Sequence, residues 1–592
     1  MNKVSRRVRR LKQEWNVVLA MLILSGCNGS TVPTVKTHSL QNRGTATPGG
    51  RLRFVDSTAN SQIDFTYRSG SEPSYAPILQ DFGGGCGLID MDRDGHLDAF
   101  FPGGGYFAPA GLQPHPHGFF QNLGQAVFRD VAEPSGLQQG RHYSQGVSVG
   151  DFDADGFPDL IVTGYGGLQF FRNQGDGTLV ERADESGLTD RLWSTSAAWG
   201  DVNGDGNLDL YVCHYVDWSP QNDPVCVGPA PDKPEACPPA QFKGLPDTLY
   251  LSNGSGTFDE VSHAAGLRAD GKGLGVVIVD LDSDGDADIY VANDTVANFL
   301  YRNEGCDPGG IPRFTEIGLQ SGSALSDSGT PDGSMGIALL DFNQDRRPDL
   351  WVSNFEFETP GMYRNEGGLD FTHVTRRAGL ATQASSFVSF GTVAADFDGD
   401  GDEDVLVTNG HISRYPRNGN LLQPCQLFEN LGQMHFQDVG PQAGDGLNRK
   451  VRGRGLATGD LDGDGDLDAV LAPIDQPVQV LENRQPGTSK WLNLYLSGTS
   501  SPRDGRGTTI TLNANGTYSR KWSYSGESYL SASSLVVNYP DVTVGNLELE
   551  VSWASGKKQI IVRTAPENKW TTNSGTCCPS PTGLVIVEPQ TE

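Results

Sequence analysis

The sequence predicts an all-β protein, and three observations predict it. An acidic loop of the form Asp-x-Asp/Asn-x-Asp-x-x-x-Asp recurs seven times, beginning at Asp90, Asp151, Asp201, Asp280, Asp341, Asp396 and Asp460. The flanks of each loop read as strands, as in Val147-Ser148-Val149 before and Leu160-Ile161-Val162 after. A second phrase follows each of the first six loops: an aromatic or aliphatic strand ending in Asn, as in Phe170-Phe171-Arg172-Asn173, Leu300-Tyr301-Arg302-Asn303 and Met362-Tyr363-Arg364-Asn365. The third copy reads Leu249-Tyr250-Leu251-Ser252-Asn253. Each unit is then strand, acidic loop, strand, strand, strand. Loop starts are 61, 50, 79, 61, 55 and 64 residues apart, a period that suits the four-stranded blades of a seven-bladed β-propeller with calcium-binding loops. The 76 glycines suit its many tight turns. A parallel β-helix has far shorter repeats.

Oxygen side chains at positions 1, 3, 5 and 9, with a glycine at 6 for the turn, are what a hard cation such as calcium takes. The candidate ligands are Asp90, Asp92, Asp94 and Asp98; Asp151, Asp153, Asp155 and Asp159; Asp201, Asn203, Asp205 and Asp209; Asp280, Asp282, Asp284 and Asp288; Asp341, Asn343, Asp345 and Asp349; Asp396, Asp398, Asp400 and Asp404; and Asp460, Asp462, Asp464 and Asp468. In the second loop the Phe157 carbonyl would add an oxygen, and Asp159 would chelate with two. Strand flanks exclude an EF-hand. One acidic turn is an ordinary polar turn, but seven with an acid at position 9 are a pattern. The third loop keeps a competent amide oxygen at Asn203. The fifth, with Asn343 and with Arg346 in place of glycine, is the weak one, so up to seven ions are expected and six are favoured.

The net charge of −29 argues against nucleic acid or an anionic membrane surface as partner. The loops hold 26 of the 73 acids, and seven divalent ions would lift the formal charge to −15. Calcium binding is therefore expected to stabilise the fold.

Lys3, Arg6, Arg7, Arg9, Arg10 and Lys12 precede the apolar run Val17 to Leu24, which is too short to span a bilayer. Leu24-Ser25-Gly26-Cys27 resembles a lipobox, which makes residues 1–26 a bacterial lipoprotein signal peptide and Cys27 the lipidated residue. The protein is then exported and lipid-anchored in the cell envelope, at the outer membrane or cell surface, and touches membrane only through that lipid. Residues 27–50 read as a tether, 51–486 as the propeller, 487–570 as a small β-domain packed on the last blade, and 571–592 as a tail. Cys226 and Cys237, in one Pro-rich insertion, are the disulfide candidate; Cys577-Cys578 can close a strained ring or bond elsewhere.

Gly85-Cys86-Gly87-Leu88-Ile89-Asp90, Gly273-Leu274-Gly275-Val276-Val277, Asn293-Asp294-Thr295, Asn409-Gly410-His411 and Arg452-Gly453-Arg454-Gly455 resemble recurrent phrases of the cartilage acidic protein family. That family has FG-GAP or VCBS-type repeats in integrin-like propellers. The resemblance covers roughly residues 60 to 570. Trp491 to Leu496, Arg503-Asp504-Gly505-Arg506-Gly507, Gly526-Glu527-Ser528-Tyr529-Leu530-Ser531 and Val551-Ser552-Trp553-Ala554-Ser555-Gly556 resemble its ASPIC/UnbV domain. Thr508-Thr509, Asn538-Tyr539-Pro540 and Ala554 depart from that domain's pattern.

There is no His-Glu-x-x-His helix or phosphate loop, and no catalytic residue is assigned. His115 and His117 fit a solvated loop better than a metal site; Trp193, Trp199, Trp218 and Trp351 are core residues or sugar platforms. Two function classes follow. One is a surface adhesion module for protein or glycan. The alternative is a calcium-dependent polysaccharide lyase or dehydratase on the same scaffold.

Overall fold

The computed structural model describes residues 52–590 apart from 71–75, 110, 138–139, 231–232, 385, 418, 486–490, 541–545, 565–568 and 580–582. The expected export signal, Cys27 and the whole of the 27–50 tether lie outside the described residues. The described chain is all-β; its α-helices are four single turns, such as Ser262–Ala265.

Seven four-stranded antiparallel sheets follow one another along the chain. Their first strands are Gly87–Ile89, Tyr143–Gly150, Ser194–Gly200, Gly273–Val279, Ile337–Leu340, Ser389–Ala395 and Gly455–Gly459. Each packs against the first strand of the next sheet, and the seventh packs against the first. The outer strand of the seventh sheet comes from the start of the described chain: Phe54–Asp56 pairs antiparallel with Gln479–Asn483, Phe54 opposite Asn483. The cores lie between neighbouring sheets. Ala198, Tyr211 and Leu249 of the third sheet, for example, pack with Val276, Ile289 and Phe299 of the fourth.

Antiparallel connectivity sorts the connections into two ends. Acidic loops join first to second strands and share one end with the turns after the Asn-bearing third strands. Second-to-third connections, including the 215–247 insertion, lie at the other end.

The C-terminal region is two sheets around one core of Leu494, Ile510, Tyr539, Leu549 and Ile586. Residues 571–592 are not simply a tail. Leu584–Val587 pairs parallel with Trp491–Ser497 at the centre of one sheet, and Leu584 and Ile586 are buried. Nor does this region merely lean on the last sheet. Its Ser525 to Ser534 segment bonds to the first strand of every sheet: Leu88 N–H donates to the Ala532 carbonyl (2.9 Å), Val147 to Leu530 (3.0 Å), Ile278 to Ser525 (3.3 Å) and Ile337 to Ser528 (3.2 Å). Trp199 N–H donates to Ser525 Oγ (3.1 Å), Thr392 N–H to Ser528 Oγ (3.2 Å) and Thr458 N–H to Ser533 Oγ (3.1 Å). Exposed backbone groups on seven converging strand edges need partners, and this segment supplies them. Ser528 (φ +68°) and Leu530 (φ +55°) hold left-handed backbone to do so.

Candidate metal loops and the opposite face

In the second acidic loop, Ala154 (φ +56°) and Gly156 (φ +95°) turn the backbone tightly enough for Gly156 N–H to reach Asp151 Oδ2 at 2.9 Å. Phe157 N–H donates to Asp155 Oδ1 (2.9 Å). These bonds fold the carboxylates inward. Five loops gather three carboxylates whose ligand atoms lie within 4.8 Å of one another: Asp90/Asp92/Asp94, Asp151/Asp153/Asp159, Asp280/Asp282/Asp288, Asp396/Asp398/Asp400 and Asp460/Asp462/Asp464. Oxygens ringing one calcium at about 2.3–2.6 Å are at most about 5 Å apart, so the donor sets fit that ion. Asp90 Oδ1, Asp151 Oδ1, Asp349 Oδ2 and Asp466 Oδ1 are buried without a hydrogen-bond partner, oxygens a cation would satisfy.

The electrostatics agree. Burial, reinforced by neighbouring acids, pushes Asp151 up to about 7, Asp98 and Asp288 up to about 8 and Asp349 up to about 9. Without a cation the carboxylates of one loop resist ionising together; a divalent ion removes that penalty.

The loops at Asp201 and Asp341 gather no such three-carboxylate group among the described residues. In each the asparagine at position 3 turns its amide N–H onto the acid at position 5, Asn203 to Asp205 at 3.0 Å and Asn343 to Asp345 at 2.9 Å. In the fifth loop Arg346 takes the glycine's place at φ +69° and still donates N–H to Asp341 Oδ2 (2.7 Å).

The acid at position 9 has a second task. Asp159 Oδ2 accepts from Phe152 N–H (3.2 Å) and Oδ1 from Asn173 N–H (2.8 Å), tying the loop to the third strand. Asp98, Asp209, Asp288, Asp404 and Asp468 repeat both bonds. The asparagine then stitches the sheet to the one before it. Asn173 Nδ2 donates to the Met91 carbonyl (2.9 Å), Asn303 to Val202 (2.9 Å), Asn365 to Leu281 (2.8 Å) and Asn483 to Phe397 (2.9 Å). Asn122 reaches Leu461 (2.8 Å), joining the first sheet to the seventh. The third sheet carries Ser252 there. Sequence reading did not assign these asparagines a role, although their recurrence ahead of a glycine was the available signal.

The remaining candidates separate. Cys226 and Cys237 form a disulfide, with Cα atoms 5.2 Å apart. Cys577 and Cys578 are free thiols on adjacent strand positions, which point to opposite faces. His117 is not solvated: it is 3% exposed, accepts from Gly103 N–H at Nδ1 (3.3 Å) and meets Gln169 Oε1 through Nε2 (3.3 Å). Trp193, Trp199, Trp218 and Trp351 are all buried core residues, so none is a sugar platform.

At the end away from the acidic loops lies the buried turn Ile78–Asp81. Gln145 Nε2 donates to the Leu79 and Phe82 carbonyls, Arg454 to the Asp81 carbonyl (2.8 Å), and Arg452 pairs with the Asp81 carboxylate. Around it Val225, Val227 and Phe357 stand exposed on second-to-third connections. The C-terminal region takes the acidic-loop end, where Arg520 meets the Arg346 carbonyl (3.2 Å) and Asn538 the Gly465 carbonyl (3.0 Å). A cavity of about 130 Å³ lies there, lined by Glu403, Arg506, Lys521, Tyr524 and Glu527 among others.

Residues 151–212, 244–291, 280–352 and 341–407 match the FG-GAP-like repeat pattern, and residues 498–577 match the ASPIC and UnbV pattern. Cartilage acidic protein 1 of Xenopus tropicalis is 25% identical over 515 residues, covering 82% of this chain and 72% of the relative. The Homo sapiens protein of that name is 23% identical over 501 residues, 80% of this chain and 69% of the relative. The chain carries FG-GAP-like repeats followed by an ASPIC and UnbV domain. Three of the repeat matches begin on the first acid of a loop, at Asp151, Asp280 and Asp341, and the ASPIC and UnbV match contains the Ser525 to Ser534 segment that bonds to the first strands of the seven sheets. Among solved structures, an Agrocybe aegerita lectin described by its recognition of terminal N-acetylglucosamine is 16% identical, covering 62% of this chain and 87% of its own, with a TM-score of 0.35. That likeness is too distant to carry an argument. Among the described residues no helix is long and apolar enough to cross a membrane.

Proposed function

We propose that the seven sheets are the blades of a closed propeller, that its acidic loops hold structural calcium, and that the protein is an exported, lipid-anchored binding module for a protein or glycan at the cell surface. The observation that carries this is the division of the two ends. The loop end is occupied by metal ligands and the C-terminal region, and the ring's centre is filled by Ser525 to Ser534. The opposite end offers the disulfide-braced insertion and exposed Val225, Val227 and Phe357 for contact. Calcium neutralises the loops and holds the blades rigid beneath that face. Cys27 would supply the anchor, and the alternative, a polysaccharide lyase or dehydratase, would need its reacting groups on this same face.

The test is binding of the purified protein to glycan arrays and to surface-protein preparations, with a parallel assay for unsaturated sugar products. Phe357→Asp together with Val225→Asp should abolish capture and leave the melting temperature unchanged. Turnover of a polysaccharide to unsaturated products overturns the non-enzymatic reading, and unchanged capture by the double variant overturns the assigned face.

A further inference from the structure

One strand position recurs in all seven sheets: the residue just before the asparagine of the third strand, or before Ser252 in the third sheet. It is Gln121, Arg172, Leu251, Arg302, Arg364, Glu429 and Glu482 in sheet order. In the first sheet Gln121 Nε2 donates to Asp92 Oδ2 at 2.7 Å. Arg172 goes further, placing Nε 2.6 Å from Asp153 Oδ2 and a terminal nitrogen 3.4 Å from Asp155 Oδ2. The arginines of the fourth and fifth sheets do not do this. Arg302 turns along its own strand to Glu304 (2.9 Å) and Arg364 to Glu366 (2.8 Å). The second sheet has Gln174 at that place, an amide that cannot neutralise a guanidinium and that bonds instead to the Arg172 carbonyl (3.3 Å).

We infer that the second acidic loop is neutralised by the guanidinium of Arg172 in place of calcium, and that Gln174, by withholding a carboxylate, is what sends the arginine there. The inference rests on the calcium reading of the other loops. The guanidinium bonds the acids at positions 3 and 5, two of the oxygens a calcium ion would need, and brings a positive charge within bonding distance of its place. Asp151, 5% exposed, keeps Oδ1 without a partner, so the loop retains a ligand pointed into the site and remains able to take the ion once the arginine leaves. The seventh sheet is the opposite case: Glu482 stands where Arg172 does, and its loop carries a further buried acid, Asp466, with an unpartnered Oδ1. This position thus separates the second loop, filled by the chain, from the fourth and the seventh, where it leaves the carboxylates to a metal.

The test counts calcium retained per chain after the full-length protein is equilibrated with calcium and desalted, with far-ultraviolet circular dichroism confirming that each variant is folded. Arg172→Gln should retain one ion more than the wild type. Gln174→Glu, which touches no ligand, should do the same by drawing Arg172 onto its strand as in the fourth and fifth sheets. Adding Asp155→Ala to either variant should remove that extra ion, and Asp155→Ala alone should leave the wild-type count unchanged. An ion lost from the wild type on Asp155→Ala, or no ion gained by either single variant, overturns the assignment. No calcium retained by any form overturns the calcium reading and the assignment with it.

Discussion

Asn173→Ala should destabilise the protein as strongly as a core truncation, although the residue is polar and distant from the ring's centre. The side chain is 0% exposed and makes three bonds: Nδ2 to the Met91 carbonyl (2.9 Å) and the Pro158 carbonyl (3.2 Å), and Oδ1 from Gly175 N–H (2.9 Å). Gly175 is partly exposed, so its N–H finds water. The Met91 carbonyl loses its partner in a buried interface, at about 1–3 kcal/mol for a buried group left unsatisfied, while the partly exposed Pro158 carbonyl turns to water. A loss of about 2 kcal/mol follows, which for a cooperative unit of 150–250 residues lowers the melting temperature by roughly 4–8 °C. The assay is scanning calorimetry in saturating calcium. The third sheet supplies the reverse experiment: Ser252→Asn should build the missing stitch toward the second loop and gain about 1 kcal/mol. A change below about 0.5 kcal/mol in Asn173→Ala, the range of an ordinary surface substitution, would refute the stitch.

Three further outcomes are expected. Tyr529→Ala, which empties a fully buried site beside Phe390 (ring centroids 4.9 Å apart), should cost about 3–5 kcal/mol and lower the melt of the whole ring rather than of the C-terminal region alone. Burial opposes ionisation of Glu588, but bonds from Ser555 Oγ and the Ser500, Ser501 and Thr499 N–H groups outweigh it and hold the carboxyl down to about 2. Its folded value lies below its unfolded one. Its stabilisation, about 2 kcal/mol after allowance for nearby solvent, is therefore complete above pH ~4.5 and lost as pH falls toward 2; Glu588→Gln should flatten that acid limb in a pH series of denaturant midpoints. Cys226→Ser with Cys237→Ser should open the 217–243 segment to limited proteolysis at equal melting temperature of the sheets, because the closed loop spans only 11 residues within one insertion.

The acidic loops were legible because everything that makes them is local. Asp151 to Asp159 contains its own turn, its own carboxylates and its own flanking strands, and the structure draws the acids together as the spacing implies. Arg346, in the place of the turn glycine, was visible for the same reason, and the structure gives it the left-handed backbone of that turn (φ +69°). What escaped was long-range. Asn173 meets Met91 across 82 residues and Asn122 meets Leu461 across 339, so the asparagines were visible as a recurrence but not as bonds between sheets. Gly526 to Ser531 was readable as a domain signature. That it bonds to the first strand of every sheet depends on seven strand edges that converge only in three dimensions. Leu584–Val587 passed for tail because a short apolar run declares itself a strand only through its partner, here Trp491–Ser497, some 90 residues upstream. Trp193 and Trp218 carry no local mark that separates a buried aromatic from a sugar platform.

The central claim is that the acidic loops hold structural calcium, and the most direct measurement is the melting temperature of the purified protein in excess calcium, after chelation, and after calcium is restored. The shift on chelation should be large, because binding linkage contributes about 2.7 kcal/mol per site at a hundredfold excess of ion over the dissociation constant, and four loops besides the arginine-filled second one gather the carboxylates for it. The account predicts a fall of well over 10 °C with chelator and full recovery with calcium; a melt indifferent to both would contradict it.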